Sequence, residues 1–335
     1  MGKYNWNIFN ILKNSHRSLI DYANLKNNIY LPQINFCNKK DFSYYIKKKY
    51  LGLPILIDYN NQYFNFNKKD TLFKLSKEQI ANKIFKTKKL NYIGVKLLFR
   101  NITFSQYATP KKKYFHIIHS INQFNNLTKR NIDNLKKRKV SIASFQTRNI
   151  PHIGHQRIIE HLFKYADIVV INPILGPKKK GDVKSLVLKN SWDFLIKKYY
   201  KNKVYFYPMI ANMLYAGPLE AIHHTIMRQN YNFDFFCVGR DHAGADNIYN
   251  PEAAPKLLDQ YKTKFKIKII NIKGAFFCLK CNKAVVKGNC KHSSKNLTDI
   301  SGTIFRKKLE KKRIYQYADI DLQKYLFSKF NNLFQ

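Results

Sequence analysis

Segments typical of strands and helices alternate from Val140 to Arg240, and this alternation restricts the fold more than any other feature of the sequence. Short apolar runs such as "VSIASF" (140–145) are typical of buried strands, whereas "IGHQRIIEHLFKYA" (153–166) has helical spacing. Further strands are predicted at 167–175, 203–210 and 233–240, and further helices at 187–200 and 217–231. The pattern predicts a doubly wound parallel α/β sheet, with ligands bound beyond the carboxyl ends of its strands.

The sequence of residues 1–137 predicts a smaller domain of mixed strands and helices. Apolar runs at 51–59 and 91–99 predict strands, and the spacing of 68–85 and of 126–140 predicts helices. No catalytic constellation is recognisable there. We expect a catalytic domain at 138–272 and a further element with a helical segment at 273–335.

The composition is that of a globular protein, with 45% hydrophobic and 15% aromatic residues. No apolar run reaches the roughly 18 residues of a transmembrane helix, so no membrane partner is expected. The N-terminus lacks the apolar stretch and cleavage site of a signal peptide. Three of the five cysteines are clustered, which favours a metal site in a reducing compartment over disulfides, and hence a cytoplasmic location.

A formal net charge of +41 indicates attraction to polyanions. The lysines are nevertheless spread over the whole chain and mixed with asparagine, isoleucine and aromatic residues, as an AT-rich coding bias would produce. We therefore expect no specific nucleic-acid partner. A basic nucleic-acid-binding protein remains the alternative interpretation.

The stretch "QTRNIPHIGH" (146–155) concentrates polar side chains where a predicted strand passes into a predicted helix. The free N–H groups and the dipole of a helix start bind anions, and His152 and His155 face the same way because they are three residues apart. Arg148 can bind an oxyanion through two parallel hydrogen bonds, and Gly154 leaves room for a phosphate. The stretch predicts a nucleoside triphosphate site; the alternative is an ordinary helix cap.

Two further polar segments follow predicted strands. "GRDHAG" (239–244) follows the strand predicted at 233–240, so the sheet would bring it to the same edge as 146–155. An internally paired polar loop is its alternative interpretation. "LGPKKKGD" (175–182) is, by itself, equally typical of a solvated turn.

A third constellation has the spacing of a zinc site. It consists of a C-x2-C pair and a C-x-H pair eight residues later, formed by Cys278, Cys281, Cys290 and His292. Thiolate and imidazole are suitable tetrahedral Zn²⁺ ligands. Four protein ligands leave no open position, so the zinc is expected to be structural.

These motifs resemble those of the ATP sulfurylase (sulfate adenylyltransferase) family. Residues 146–155 resemble its "QTRNPxHxGH" motif, 175–182 its lysine- and glycine-containing loop, and 238–244 its second nucleotide motif. "MLYAGPLEAIHHTIMRQNY" (213–231) resembles its "MRYAGPREA" segment, and "ISGTIFRKKL" (300–309) its "SGTxxR" segment. The resemblance spans about residues 140–310, and upstream it implies a shortened, diverged PUA-like domain.

The resemblance implies an HxGH nucleotidyltransferase that transfers AMP from ATP to sulfate, giving adenosine 5′-phosphosulfate and pyrophosphate. Mg²⁺ would accompany ATP, and a homo-oligomer is expected. The implied catalytic residues are Thr147, Arg148 and Asn149, and the implied sulfate ligands are Gln146, Arg148 and the backbone N–H of Ala243. The implied ATP-binding residues are Gln146, Arg148, Asn149, His152, His155, Gly239, Arg240, Asp241 and His242, with the two histidines of 146–155 on the β- and γ-phosphates.

Several positions depart from the family pattern. Ile150 stands where the family has proline, and Leu214 replaces an arginine. Ala245 and Asp246 follow the second nucleotide motif in place of a glycine-containing turn, and "YADID" (317–321) replaces an "RPEV"-like segment. These departures leave open a diverged relative with weak or no activity, and another HxGH nucleotidyltransferase is a further alternative.

Overall fold

The computed structural model describes most of the second half of the chain and parts of the first. The described residues are 33–36, 55–59, 62–66, 72–75, 78, 81–82, 85–87, 89–99, 129–175, 181–210, 213, 215–245 and 247–335.

Strands and helices alternate over much of the described chain. In chain order the strands are β1 (Gln33–Phe36), β2 (Ile55–Tyr59), β3 (Gln62–Phe66), β4 (Leu72–Leu75), β5 (Ile142–Phe145), β6 (Ile168–Ile171), β7 (Ile174–Leu175), β8 (Val204–Phe206), β9 (Met209–Ile210), β10 (Phe235–Gly239), β11 (Lys268–Ile272), β12 (Ala275–Cys278), β13 (Lys283–Val286) and β14 (Leu297–Asp299). The helices are α1 (Ile93–Phe99), α2 (Lys129–Lys137), α3 (Ile153–Leu162), α4 (Ser185–Tyr199), α5 (Pro218–Asn230), α6 (Ala253–Gln260), α7 (Gly302–Glu310) and α8 (Ile320–Lys329).

The chain forms two compact units that interleave along the sequence. The parallel-sheet unit comprises Lys112–Ile210, Asn232–Arg240 and Ile267–Gln335. The mixed-sheet unit comprises Met1–Lys111, Ala211–Tyr231 and Asp241–Lys266. The domain boundaries predicted at residues 137 and 272 stay a prediction.

A five-stranded parallel sheet forms the centre of the parallel-sheet unit. Its strand order is β11-β10-β5-β6-β8, and every neighbouring pair is parallel. The connections run one way from β5 to β6 and β8, and the other way to β10 and β11. The carboxyl ends of β5 and β10 therefore flank a topological switch point, where such sheets bind ligands. The predicted parallel α/β sheet is confirmed.

The core of this unit is built from continuous apolar runs rather than alternating patterns. All four residues of β5 and all four of β6 are buried, as expected for strands covered on both faces. Trp192 on α4 is fully buried in the same hydrophobic core, together with Leu322 and Leu326 of α8.

A three-stranded antiparallel sheet, β13-β12-β14, precedes the two C-terminal helices. Its strand β13 packs on α3, where buried Ala284 and Val286 join the main core. The C-terminal helix α8 packs on α4. The C-terminal segment thereby contacts the helix that follows the 146–155 stretch.

The mixed-sheet unit contains a four-stranded sheet, β1-β2-β3-β4, and helices α5 and α6, which pack together. Strands β1 and β2 are parallel and the other pairs antiparallel. An aromatic cluster ties its segments: Tyr92 packs edge-on against Phe85 and Tyr249, with ring centroids 5.7 and 6.4 Å apart. The Tyr92 hydroxyl also donates to the carbonyl of Tyr215. A PUA-like domain stays a prediction.

Two predicted elements of the first half need correction. Residues 91–99 were predicted as a strand, but Ile93–Phe99 is the helix α1. The buried residues Tyr92 and Val95 are three apart and Lys96 is exposed, which is helical spacing hidden within a short apolar run. The helix predicted over 68–85 contains strand β4 instead, because Leu72–Leu75 pairs with β3. Among its described residues, 78, 81–82 and 85 have helical backbone.

The other predicted elements are confirmed within a few residues. The strand predicted at 51–59 contains β2, and the helix predicted at 126–140 contains α2. The predicted strands at 167–175 and 203–210 each contain two short strands, β6 with β7 and β8 with β9. Among the described helices, none is both long and apolar enough to cross a membrane.

Candidate active site

The 146–155 stretch leaves the carboxyl end of β5 at the switch point and enters helix α3. Ile150 and Pro151 are buried, and Ile150 packs into the main core with 2% of its surface exposed. Gln146, Arg148 and Asn149 remain half-buried beyond the strand end. The turn therefore anchors its apolar residues in the core and presents its polar residues at the sheet edge.

Thr147, His152 and His155 form one hydrogen-bonded group at the start of α3. The backbone N–H of His152 donates to His155 Nδ1 at 3.2 Å, and His155 Nε2 lies 3.3 Å from Thr147 Oγ1. The backbone N–H of Asn149 donates to Thr147 Oγ1 at 3.2 Å. Because an N–H can only donate, His155 Nδ1 is an acceptor, and its neutral ring carries the proton on Nε2 and donates to Thr147.

Burial keeps both imidazoles neutral. Desolvation lowers the pKa of His152 to about 4, and desolvation followed by the nearby His152 lowers the pKa of His155 well below its usual value. The two rings are stacked, with centroids 3.8 Å apart. His152 Nδ1 is buried and has no hydrogen-bond partner among the described residues. A buried polar atom without a partner is expected where a ligand supplies one.

Gly154 makes room for the His152 ring. A Cβ on Gly154 would lie 3.0 Å from His152 Cε1 and Nδ1, and 3.4 Å from Ala275 Cβ. The sequence interpretation gave this space to a phosphate; in the structure the imidazole takes it. An alanine here would push the ring away from its place beside His155.

Asn149 is fixed from two sides. The indole N–H of Trp192 donates to the Asn149 carbonyl at 3.3 Å. On the other side, a Cβ on Gly302, in the "SGT" segment, would lie 3.4 Å from Asn149 Nδ2. Helix α4 and the start of helix α7 therefore both contact the 146–155 turn.

Gly239 and Arg240 lie at the carboxyl end of β10, the neighbour of β5 in the sheet. Arg240 is exposed, and its guanidinium carbon lies 5.9 Å from the centroid of the Phe276 ring. Its charge is available to an anion beyond the strand end. The parallel-sheet unit thus brings Gln146–His155 and the first two residues of "GRDHAG" to adjacent strand ends.

The remaining motif residues, Asp241, His242 and Ala243, belong to the mixed-sheet unit. Asp241 and Ala243 have left-handed backbone conformations, with φ of 49° and 57°. The N–H of Gly217 donates to the Ala243 carbonyl at 3.1 Å. Such strained conformations are characteristic of ligand-binding loops.

The "YAGP" turn that holds this loop is itself tightly packed. Gly217 has φ of 52°, and a Cβ there would come within 2.5 Å of the Tyr249 ring, so only glycine fits. The turn leads into helix α5, whose Glu220 Oε2 accepts from the N–H of Ala216 at 3.0 Å. The hydrogen bond from the Gly217 N–H to the Ala243 carbonyl joins segment 213–231, which resembles one family motif, to segment 238–244, which resembles another.

The cysteine and histidine cluster has the dimensions of a zinc site. The sulfur of Cys290 lies 3.6 Å from those of Cys278 and Cys281, and His292 Nδ1 lies 3.3–3.4 Å from all three sulfurs. Zn–S and Zn–N bonds of roughly 2.3 and 2.0 Å in a tetrahedron would place the sulfurs about 3.8 Å apart and nitrogen about 3.5 Å from sulfur. The donor set and its geometry fit one tetrahedral ion.

Comparison with known proteins decides the family. Residues 119–314 match the family model described as ATP-sulfurylase. The chain belongs to the ATP sulfurylase family. Relatives named sulfate adenylyltransferase include those of Pyrococcus abyssi, 33% identical over 87% of this chain and 82% of that one, and of Thermococcus onnurineus, 31% identical over 88% and 84%. That of Ignicoccus hospitalis is 34% identical over 79% and 68%.

Among solved structures, a hexameric APS kinase from Thiobacillus denitrificans aligns with a TM-score of 0.49 and 11% identity, covering 66% of this chain and 42% of that one. A likeness at that level does not define a shared fold.

The predicted family is confirmed, and with it the predicted enzyme class, a sulfate adenylyltransferase. The roles of individual site residues stay predictions. Among the departures from the family pattern, Ile150 is accommodated as a core residue. Leu214, Asp246 and most of the loop at 175–182 lie outside the described residues.

Sequence reasoning missed some buried side chains of the two units that contact the motif segments or lie beside them. Glu220, His224 and Arg228 are almost completely buried on α5, and Trp192 contacts the 146–155 turn. Burial lowers the pKa of Arg228 to about 9, whereas Glu220 raises it, so Arg228 stays charged at neutral pH. The signal available in the sequence was the four-residue spacing of Glu220, His224 and Arg228, which places them on one helix face.

Proposed function

We propose that this enzyme transfers the AMP group of ATP to sulfate at the turn formed by residues 146–155. A sulfate oxygen attacks the α-phosphorus, its new P–O bond forms, and the bond to pyrophosphate breaks. No covalent enzyme intermediate is needed. The observation that carries the proposal is the hydrogen-bonded group Thr147–His152–His155 at the switch point of a parallel sheet.

The Thr147 hydroxyl is oriented as a donor. Its oxygen accepts from the Asn149 N–H and from His155 Nε2, which uses both acceptor positions of a hydroxyl. Its own proton is then available to an anion. We propose that this proton goes to an oxygen of the reacting sulfate or α-phosphate, where negative charge accumulates during transfer.

The two histidines at the start of α3 have different roles in this proposal. His152 Nδ1 has no partner in the part of the chain that the structure describes, so we propose that it donates to a β- or γ-phosphate oxygen. Both ring nitrogens of His155 have partners inside the turn. His155 was expected on the same phosphates; its hydrogen bonds here support a role in orienting Thr147. The N-terminus of α3 adds its free N–H groups to the anion site.

Positive charge for the two anions comes from arginines. We propose that Arg148 binds sulfate together with Gln146 and the N–H of Ala243, and that Asn149 and Arg148 contact the α-phosphate. Arg240, with Gly239, Asp241 and His242, would contact the nucleotide. Because two anions must approach each other, positioning and charge neutralisation supply most of the rate enhancement.

Two metal ions belong to the proposal. Mg²⁺ would be carried mainly by the phosphates of ATP, where it supplies further charge neutralisation. Zn²⁺ would be held by Cys278, Cys281, Cys290 and His292 in a structural role, because four protein ligands would leave no open position on the ion. Zinc-binding thiolates must remain reduced, which supports a cytoplasmic location. A homo-oligomer stays a prediction from family resemblance.

The test is pyrophosphate-dependent formation of ATP from adenosine 5′-phosphosulfate with Mg²⁺. We expect turnover by the wild type, and a loss of at least about a thousandfold in Arg148→Ala, because a charge-assisted contact is removed in the transition state. Arg148→Lys should recover little activity, since lysine cannot form the paired hydrogen bonds of arginine.

The matched control is Arg157→Ala. Arg157 lies on α3 and pairs with Glu160 at 2.6 Å. This variant should keep wild-type turnover. An Arg148→Ala enzyme as active as the control would remove Arg148 from the mechanism, and an inactive, folded, zinc-loaded wild type would identify a non-catalytic relative.

A further inference from the structure

Beyond the motif residues, a buried polar chain runs from helix α5 to the second nucleotide motif. His224 Nδ1 lies 3.0 Å from His242 Nε2, within hydrogen-bond distance. His224 Nε2 lies 3.4 Å from Glu220 Oε1, which is an ion-pair distance without hydrogen-bond geometry. Glu220 and His224 are at most 1% exposed, and His242 is 9% exposed. All three belong to the mixed-sheet unit. The chain links a helical carboxylate to an imidazole of the proposed nucleotide site.

The chain determines which nitrogen of each ring carries a proton. The carboxylate of Glu220 places a negative charge 3.4 Å from His224 Nε2, so it favours a proton on that nitrogen. In a neutral His224 the other nitrogen, Nδ1, is then an acceptor. Its 3.0 Å contact consequently requires the proton of that hydrogen bond to sit on His242 Nε2.

Neutral His224 is the state that its surroundings favour. The ring is fully buried, which disfavours the charged form. The guanidinium of Arg228 donates to the backbone carbonyl of His224 at 3.1 Å, so a positive charge already lies one turn along the same helix face. That same guanidinium offsets the charge of Glu220, which reduces the attraction of the carboxylate for a second cation.

We propose that Glu220 and His224 are positioning residues that hold His242 with its Nδ1 unprotonated. A ring in this state accepts a hydrogen bond and does not donate one. His242 then recognises a donor of the nucleoside, either a ribose hydroxyl or the exocyclic amino group of adenine, and not a phosphate oxygen. This inference rests on the proposed function, because it assigns a partner within the same nucleotide site.

The first test is spectroscopic and does not depend on turnover. Long-range ¹H–¹⁵N spectra of histidine-labelled wild type, assigned with His242→Gln, report the tautomer of each ring. We expect His242 as the neutral Nε2–H form near pH 7.5, and a changed signal in Glu220→Gln. An Nδ1–H form or an imidazolium at His242 in the wild type would overturn the inference.

The second test uses two substitutions of His224, each of which keeps only one of its two side-chain contacts. In His224→Asn the side-chain oxygen takes the place of Nδ1 and keeps the bond to His242. In His224→Gln the amide takes the place of Nε2 and keeps the contact with Glu220 only. We expect His224→Gln to raise the KM for ATP about tenfold with the KM for sulfate unchanged, and His224→Asn to stay within about threefold.

The control is His223→Gln. His223 lies on the same buried helix but is not one of the three residues Glu220, His224 and His242, so the variant should keep the wild-type KM for ATP. Equal effects of the asparagine and glutamine variants would overturn the positioning role. If the wild type itself shows no turnover, the proposed function fails, while the tautomer of His242 is still decided by the spectra. Comparison of ATP with 2′-deoxy-ATP and with purine riboside triphosphate then distinguishes a hydroxyl from the amino group.

Discussion

At the scale of single residues, burial determines the chemistry of the 146–155 turn. His152 and His155 are stacked and buried, and desolvation keeps both rings neutral. A neutral His155 has one donor and one acceptor nitrogen, which is what allows it to connect the His152 N–H with the Thr147 hydroxyl. An imidazolium would lose the acceptor and break this group. The hydrogen bonds of this turn therefore depend on the absence of charge on these rings.

Acid should destabilise the protein through His152. Its folded-state pKa of about 4 lies below the usual 6.5, so its contribution to stability is complete above pH 6.5 and is lost as pH falls towards 4. Between pH 7.5 and 5 this loss is on the order of 2 kcal/mol. Urea unfolding at the two pH values measures the free energy of unfolding. From pH 7.5 to 5, His152→Gln should lose less of this free energy than the wild type, by about that amount.

The control for this prediction is His161→Gln. His161 lies on the same helix but is only half-buried, and burial, followed by the charge of Lys164, lowers its pKa. Its removal should change acid sensitivity less than removal of His152. Identical acid sensitivity in wild type and His152→Gln would contradict a buried neutral His152.

The residue types of this site were predictable, but their internal partners were not. A sequence shows that His152, His155 and Thr147 lie close along the chain. It does not show which ring nitrogen donates, because that depends on burial and on backbone N–H groups. The space beside Gly154 was assigned to a phosphate for the same reason, whereas the imidazole occupies it.

At the scale of secondary structure, helix α4 supports the turn through one side chain. The fully buried indole of Trp192 donates to the Asn149 carbonyl, and its ring packs edge-on against Phe145 and His155. We expect Trp192→Phe to keep the fold and to lower kcat about three- to tenfold, the effect of one neutral hydrogen bond. Circular dichroism and steady-state kinetics measure both.

Phe194→Leu is the control for Trp192→Phe. Phe194 lies on the same helix but stacks on Tyr325, with ring centroids 5.2 Å apart. It should lower the melting temperature slightly and leave kcat unchanged. An equal loss of kcat in both variants would mean that general packing of α4, not the indole N–H, supports the turn.

The C-terminal segment supports helix α3 in a similar way. Asn289, which directly precedes Cys290 of the cysteine and histidine cluster, bonds His161 at 3.0 Å, and the Tyr317 carbonyl accepts from the Ile153 N–H at 2.9 Å. Cys278→Ser should therefore reduce zinc to well below one ion per chain and lower the melting temperature by on the order of 10 °C. Metal analysis and calorimetry measure both quantities.

Cys237→Ser is the matched control for the zinc prediction, because Cys237 is equally buried but lies on β10, outside the cluster. It should keep full zinc content. If Cys278→Ser retains one zinc per chain, or if purified wild type contains none, the four-ligand site is wrong.

Elements were predictable where apolar patterns and helical spacing extend over many residues, as from β5 to β10. The prediction failed at 91–99, since a short apolar run fits a strand or a helix and packing of Tyr92 and Val95 selected the helix. Strand β11 was missed as well. Only two of its five residues are buried, because it lies at the sheet edge, so no continuous apolar run marks it.

At the scale of the whole molecule, the two units interleave, and the division falls within the second nucleotide motif. Arg240 belongs to the parallel-sheet unit and Asp241 to the mixed-sheet unit. Domain boundaries drawn from composition place such a motif in one domain, because sequence order does not reveal where the chain leaves one unit and enters another.

The net charge of +41 is also a property of the whole molecule, and it leads to a prediction about polyanions. Lysines spread over the chain should bind DNA through phosphates alone, so affinity should fall at least about a hundredfold between 50 and 200 mM salt. Fluorescence anisotropy with two duplexes of equal length and different sequence should give the same Kd within about twofold. A sequence preference that survives at physiological salt would instead favour a nucleic-acid-binding function selected alongside the enzyme, because non-specific phosphate contacts cannot produce it.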